Sequence, residues 1–206
     1  MPHPSSLWRG PAPLLLASTS PTRRMLLDSA GLAVETRAPG VDERAVEAEA
    51  AGLSPQDLAG RLAAAKAGAV AAHAPDRVVI GADQVLDLDG TVFHKPADRA
   101  GAAAHLARLQ GRTHALHSAV ALAVDGAVAD RFVVTARLTM RPFGEAGIAA
   151  YLDAAGPTIT GSVGAYQLEG VGIHLFDRIE GDHSTILGLP LLPLLARLRA
   201  RGLLAF

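Results

Sequence analysis

The sequence predicts an α/β protein, and three observations carry the prediction. A continuously apolar run, Leu14-Leu15-Leu16-Ala17, has the pattern of a strand buried on both faces, and a hydroxyl-and-proline helix start follows it at once. Alanine-rich segments after Ser54 and Asp98 repeat apolar residues at the spacing of amphipathic helices. Two Asp-Gly pairs, Asp89-Gly90 and Asp125-Gly126, stand between apolar or alternating runs and read as two-residue hairpin turns.

Taken in order, residues 1–12 carry scattered prolines and read as a flexible N-terminal tail, followed by a single domain over residues 13–206. Ser20-Pro21 supplies a cap and a first helical position, so a helix should run from there to about Ala30, where Gly31 stops it. Residues 38–43 leave a second short strand and present Asp42 and Glu43 beside a turn. Ser54-Pro55 repeats the capping pattern and opens a long helix to about His73. Val78 to Ile80 enters the first hairpin, and Pro96 ends its second arm. A helix over Asp98 to Leu109 precedes two long strands, Thr113–Val124 and residues 128–140, in which His117, Ser118 and Thr135 read mostly as outward positions. Residues 144–154 suggest a further helix, a glycine-rich stretch becomes strand-like over residues 173–179, residues 181–185 form a polar loop, and a helix over residues 189–201 closes the chain.

Composition removes several function classes. With 206 residues, 50% of them hydrophobic and 19% charged, the chain can bury one sizeable core. A formal net charge of −1 gives no global basic field, so neither a nucleic-acid polymer nor a membrane is expected as partner. No cysteine is present, which excludes thiolate nucleophiles and cysteine zinc sites and fits a cytoplasmic location. The longest apolar run, residues 186–196, is broken by Gly188, Pro190 and Pro193 and is too short to span a bilayer. No P-loop, dinucleotide fingerprint, His-Glu-x-x-His or Gly-x-Ser-x-Gly pattern occurs.

What remains is a set of cations and carboxylates suited to phosphates. Ser18-Thr19-Ser20 leads into a helix start with Arg23 and Arg24 in its first turn, where cations oppose the helix dipole unless an anion binds there. Adjacent helical positions diverge, so one arginine can serve a ligand and the other a structural partner; the same pattern also suits a capped helix with two solvated arginines. Leu58, Leu62, Lys66 and Val70 are spaced by four, which puts Lys66 on a buried stripe. Its ammonium either snorkels to the edge or emerges as a phosphate contact. A turn at Asp89-Gly90 sets Gln84 opposite Lys95, with Asp83 one step further out. Alternation then puts Asp83 on the other sheet face, so its joining the same site calls for a departure from regular pairing, such as a bulge helped by Gly81. Arg23, Arg24, Lys66 and Lys95, with Glu43 and Asp83, form a set compatible with phosphoanhydride hydrolysis, in which cations and a divalent ion neutralise a triphosphate and a carboxylate activates water.

Several separated motifs, in order, then resemble the Maf family of nucleoside triphosphate pyrophosphatases. They are Leu16-Ala-Ser-Thr-Ser-Pro-Thr-Arg-Arg24, Pro39-Gly-Val-Asp-Glu43, Leu62 to Lys66, Ile80-Gly-Ala-Asp-Gln-Val85, Lys95-Pro96, Gly161 to Gly172 and Gly188-Leu-Pro190, within a match from Leu14 to Leu198. The resemblance implies a Maf/ITPase-like α/β fold, an elongated mixed sheet with flanking helices and a cleft between two lobes. It also implies hydrolysis of a nucleoside triphosphate to the monophosphate and pyrophosphate, a divalent cation of the Mg²⁺ or Mn²⁺ type, and a homodimer. By resemblance Asp83 is the general base and a metal ligand with Glu43; Lys66 and Lys95 complete the catalytic set; Ser18, Ser20, Thr22, Arg23 and Arg24 bind substrate. Gln84 and Glu169 resemble the 7-methyl-GTP branch rather than the dTTP/UTP branch, and a glutamate suits a cationic methylated guanine. Thr22 follows neither branch, which have Trp or Arg there. The family's older septum-formation name raises the alternative of a nucleotide-binding regulator of cell division.

Overall fold

The computed structural model describes residues 7–206. The chain is mixed α/β, with a seven-stranded sheet in the order β2 (Val34–Thr36), β1 (Leu14–Ala17), β3 (Val79–Leu88), β5 (Thr113–Val124), β6 (Ala127–Met140), β7 (Phe176–Glu180), with β4 (Thr91–Phe93) pairing with β3, and helices flanking it. It divides into two compact units: one comprises the chain through Gln84, Ser118–Val134 and His183–Phe206, the other Val85–His117 and Thr135–Asp182. Three strands, Val79–Leu88, Thr113–Val124 and Ala127–Met140, each contribute residues to both units.

In the first unit, β1 (Leu14–Ala17) is wholly buried and pairs in parallel with β2 (Val34–Thr36) on one side and β3 (Val79–Leu88) on the other. Buried parallel strands lack solvent-facing positions, which is why β1 is an unbroken apolar run. Helix α1 (Pro21–Ser29) starts where the sequence predicts, with the Ser20 hydroxyl accepting from the Arg23 amide. Leu14, Leu16, Ile80, Ala82, Val120 and Leu122 meet Leu26, Leu27, Leu194 and Leu198 in one core cluster, so α1 and α7 (Leu191–Ala200) cover this face of the sheet. Helix α3 (Pro55–Ala71) lies against the other face of β3 and buries Leu62, Lys66 and Val70, the stripe expected from spacing.

Two local readings are corrected. Asp42 and Glu43 are not simply turn carboxylates: Asp42 caps α2 (Glu43–Glu49), its side chain accepting from the Ala45 amide, and Glu43 is the first helical residue. Of the expected N-terminal tail, residues 1–6 lie outside the described residues, but residues 7–12 are anchored. The Arg9 amide bonds the Leu203 carbonyl, the Ala205 amide bonds the Leu7 carbonyl, and Trp8 bridges to Leu204 while its indole donates to the Ala12 carbonyl. The large indole packs on the core cluster, and that apolar burial outweighs the prolines around it.

The second unit contains the end of β3, β4 (Thr91–Phe93), α4 (Arg99–Leu109), the first half of β5 (Thr113–Val124), the second half of β6 (Ala127–Met140), α5 (Gly144–Ala155) and β7 (Phe176–Glu180). Both Asp-Gly turns form as predicted, with positive φ at Asp89, Gly90, Asp125 and Gly126. The first hairpin keeps the expected register, Leu86 facing Phe93 and Leu88 facing Thr91, but pairing stops at Phe93. Gln84 and Lys95 are therefore not ladder partners. His117 and Ser118 are buried rather than outward, because β5 is covered on both faces. Strand character near the C-terminus begins only at Phe176, after a 3₁₀ turn over Val171–Leu175, and residues 183–185 of the expected polar loop belong to a short helix, α6 (His183–Ile186).

Candidate active site

Around Lys66 the first unit builds a compact charged centre. The Lys66 ammonium donates to Asp83 Oδ1 at 2.6 Å and pairs with Glu43 Oε1 at 2.8 Å. Lys66 and Asp83 are each 6% exposed, whereas the Glu43 side chain is about half exposed, so the centre opens to solvent on the Glu43 side. A buried ion pair must offset the loss of hydration of both charges, and a third charged partner at the rim helps it do so.

Three elements make this meeting possible. Lys66 comes from the buried stripe of α3, Glu43 from the capped start of α2, and Asp83 from β3. The approach of α3 to β3 depends on Gly81. A Cβ at that position would lie 2.2 Å from the Ala63 carbonyl oxygen and 2.5 Å from the Ala67 amide nitrogen. Gly81 and Asp83 share the face of β3 that meets α3, as strand alternation requires. Gly81 lets the helix backbone lie close, which brings Lys66 to Asp83. Among the pairings defined for β3 with β1 and β4, none shifts register.

On the opposite face of β3 lies the arginine expected near the phosphate loop. Arg23 Nε donates to the Gly188 carbonyl at 2.9 Å, and Nη1 donates to the Ala82 carbonyl at 2.9 Å and to Ser18 Oγ at 3.4 Å. Burial lowers its pKa, while the charges of Asp83 and Glu43 push the other way. The Ser18 hydroxyl also accepts from the Ser20 amide at 3.1 Å. Arg24 instead is exposed and pairs with Asp28 one turn on, so the two arginines divide as their divergence predicts. Thr22 sits half-buried beside them in the first turn.

Gln84 points to the Arg23 side of the strand. Its Nε2 donates to Ser118 Oγ at 2.8 Å and lies 2.9 Å and 3.2 Å from the carbonyls of Ile186 and Thr185. Its amide is committed inside the unit, an arrangement the sequence did not disclose. Two further contributors escaped sequence reasoning: the backbone carbonyls of Ala82 and Gly188, which orient Arg23, and Ser118, whose only signal was a hydroxyl in an apolar run. Lys95 and Glu169 belong to the second unit; both are exposed, Lys95 in the loop before Pro96 and Glu169 in a turn.

Glu43 and Asp83 also bear on a metal. Glu43 Oε1 and Asp83 Oδ1 converge on the Lys66 ammonium, which occupies the point between them, so each carboxylate has its second oxygen outside this pair. Among the described residues no group of three or more His, Asp or Glu forms a complete metal cage.

The sequence was compared with known proteins. It is 56% identical over 200 residues to the nucleoside triphosphate pyrophosphatase of Nitrobacter winogradskyi, covering 97% of this chain and 99% of the relative. It is 56% identical over 199 residues to the protein of the same description from Bradyrhizobium diazoefficiens, covering 97% and 98%. A 7-methyl-GTP pyrophosphatase of Rhizobium johnstonii is 54% identical over 191 residues, covering 92% and 96%. The family described as Maf-like protein matches residues 13–201, and the chain belongs to that family.

Proposed function

We propose that this chain hydrolyses the α–β phosphoanhydride of a nucleoside triphosphate, giving the monophosphate and pyrophosphate, and that its substrate is a modified nucleotide of the 7-methyl-GTP kind. The observation that carries the reading is the Lys66 centre: a buried lysine holding two carboxylates beside a strand, hydroxyl loop and helix start. The description borne by relatives 54–56% identical over nearly the whole chain supports the reaction.

In this reading the phosphates lie against Ser18, Ser20 and the helix start, where amide N–H groups and Arg23 and Arg24 meet their charge. Lys66 holds one oxygen of Asp83, and the other accepts a proton from the attacking water. As the water oxygen bonds to phosphorus, the anhydride P–O bond breaks and pyrophosphate leaves with its electron pair. Glu43 and Asp83 are the residues that would hold a divalent cation, which supplies positive charge against the phosphate oxygens when bound. Lys95 and Glu169 enter as phosphate contact and base contact through the resemblance alone. Action as a homodimer in the cytoplasm belongs to the same proposal; the lack of cysteine fits a reducing compartment, and no helix among the described residues is long and apolar enough to cross a membrane.

The test is Asp83→Asn, which keeps the shape and an acceptor for Lys66 but removes the base. Pyrophosphate release with Mg²⁺ or Mn²⁺ should fall at least about 100-fold while nucleotide binding persists. Full turnover by this variant would sink the assignment of Asp83.

A further inference from the structure

We propose that Tyr151 is the positioning residue for Glu169: its hydroxyl fixes the backbone just before the turn that presents this glutamate, and so tunes the choice of nucleobase through it. The claim rests on the base contact given to Glu169 above. Glu169 is exposed in a turn closed by the Gly170 amide on the Gln167 carbonyl at 3.2 Å, so the Gln167 peptide is the root of the turn. Gly172 rests on that root, since a Cβ there would lie 2.4 Å from the Gln167 carbonyl oxygen. Tyr151, buried on α5, meets the chain on the other side of Gln167. Its hydroxyl donates to the Ala165 carbonyl at 3.0 Å, and a backbone hydrogen bond from Gln167 reaches the same oxygen. Burial pushes the phenol pKa up to about 12, so at neutral pH the proton that Ala165 accepts stays in place.

The other backbone bonds along residues 161–170 are local. The Gly161 amide donates to the Thr158 carbonyl, the Ala165 amide to the Ser162 carbonyl, and the Ser162 hydroxyl to the Tyr166 carbonyl at 2.6 Å. They shape the segment without fixing it against its surroundings, which two hydrogen-bonding side chains from other elements do. His114 of β5 bonds the Tyr166 hydroxyl at 2.6 Å, and with Phe176 edge-on against the same ring it anchors the Tyr166 side chain. Tyr151 anchors the backbone before and after that residue. Beyond the turn, the Arg141 amide and Nε hold the carbonyls of Leu175 and His174. Between these anchors packing does not take over: an open space of about 220 Å³ lies among Ala154, Ala155 and Thr158 on one side and Gln167, Gly170 and Gly172 on the other. No side chain fills it, so the Tyr151 hydroxyl sets how far the turn stands from α5. A base contact is only as selective as its placement, and small displacements of a positioned group are felt steeply.

The experiment measures kcat/KM on 7-methyl-GTP and GTP for Tyr151→Phe, alone and combined with Glu169→Gln. The phenylalanine keeps the ring and loses the hydroxyl. It should lower the ratio of 7-methyl-GTP to GTP about tenfold, leave kcat/KM on GTP within about twofold, and change the ratio less than about twofold once Glu169 is glutamine. Ile148→Val, which opens a small cavity at another buried position of α5, controls for lost stability and should leave the ratio unchanged. If Tyr151→Phe does not fold, Ser162→Ala, which frees the Tyr166 carbonyl, decides, and should lower the ratio about threefold. An unchanged ratio in the variant that folds overturns the proposal, as does an equal fall in the Glu169→Gln background or the same fall in Ile148→Val. If the wild type shows no preference for 7-methyl-GTP, or Glu169→Gln leaves its ratio unaltered, the base contact of Glu169 fails separately. The positioning claim is then read from hydrogen exchange at the Gly170 amide, which the folded variant should speed at least about tenfold; unchanged exchange overturns it.

Discussion

Lys66 is a lysine that folding forces indoors. Its place four residues after Leu62 and four before Val70 puts it on the stripe that α3 buries, and two carboxylates meet its ammonium there. The stripe was legible from spacing; the identity of its partners was not, since Glu43 and Asp83 lie 23 and 17 residues away on other elements. Specificity also belongs to single residues. If Glu169 accepts from a cationic methylated guanine, Glu169→Gln should lower the preference for 7-methyl-GTP over GTP about tenfold, a comparison of kcat/KM for the two substrates. A wild-type preference for dTTP or UTP would count against that branch.

Among the elements, the pairing of α3 with β3 decides the site. Gly81 stands where the helix backbone comes within contact distance, so Gly81→Ala must push α3 away or distort β3. We expect a stability loss of about 1–3 kcal/mol in urea unfolding, together with a fall in pyrophosphate release because Lys66 and Asp83 separate. Loss of stability with unchanged turnover would show that the helix can move without disturbing the pair. Elements with their own local signals were the readable ones. Ser20-Pro21, Ser54-Pro55 and Asp98 each cap the helix they announce, and Asp89-Gly90 and Asp125-Gly126 turn where they should. Helix α2 has an ambiguous signal, since Asp42 suits a turn as well as the cap that it forms before Glu43.

At the scale of the whole molecule, stability should carry the mark of a buried histidine. His114, 1% exposed, bonds Tyr166 through Nε2 at 2.6 Å, while its Nδ1 has no hydrogen-bond partner, and burial pushes its pKa down to about 4. An unfolded histidine protonates near pH 6.5. As pH falls from about 6.5 to 4 the unfolded chain therefore takes a proton that the folded chain refuses, and stability present above that window is lost within it, by about 3 kcal/mol. His105 and His117, also lowered chiefly by burial, act in the same direction. Urea midpoints at pH 8, 6 and 5 should show the decline, and His114→Gln, which cannot titrate, should flatten it; an equally steep decline in that variant would remove His114 as the cause.

By itself the sequence determined the α/β class, most helix starts, both hairpin turns and the stock of phosphate-compatible side chains, because caps, turns and apolar periodicity act over a few residues and leave local signals. Only the tertiary structure decided that Lys66 joins Asp83 to Glu43, that Gln84 bonds inward, that Arg23 is held by two backbone carbonyls and that residues 7–9 are tied to the C-terminus. Those contacts join residues distant along the chain, and several use backbone carbonyls, which every residue possesses and no letter of the sequence distinguishes.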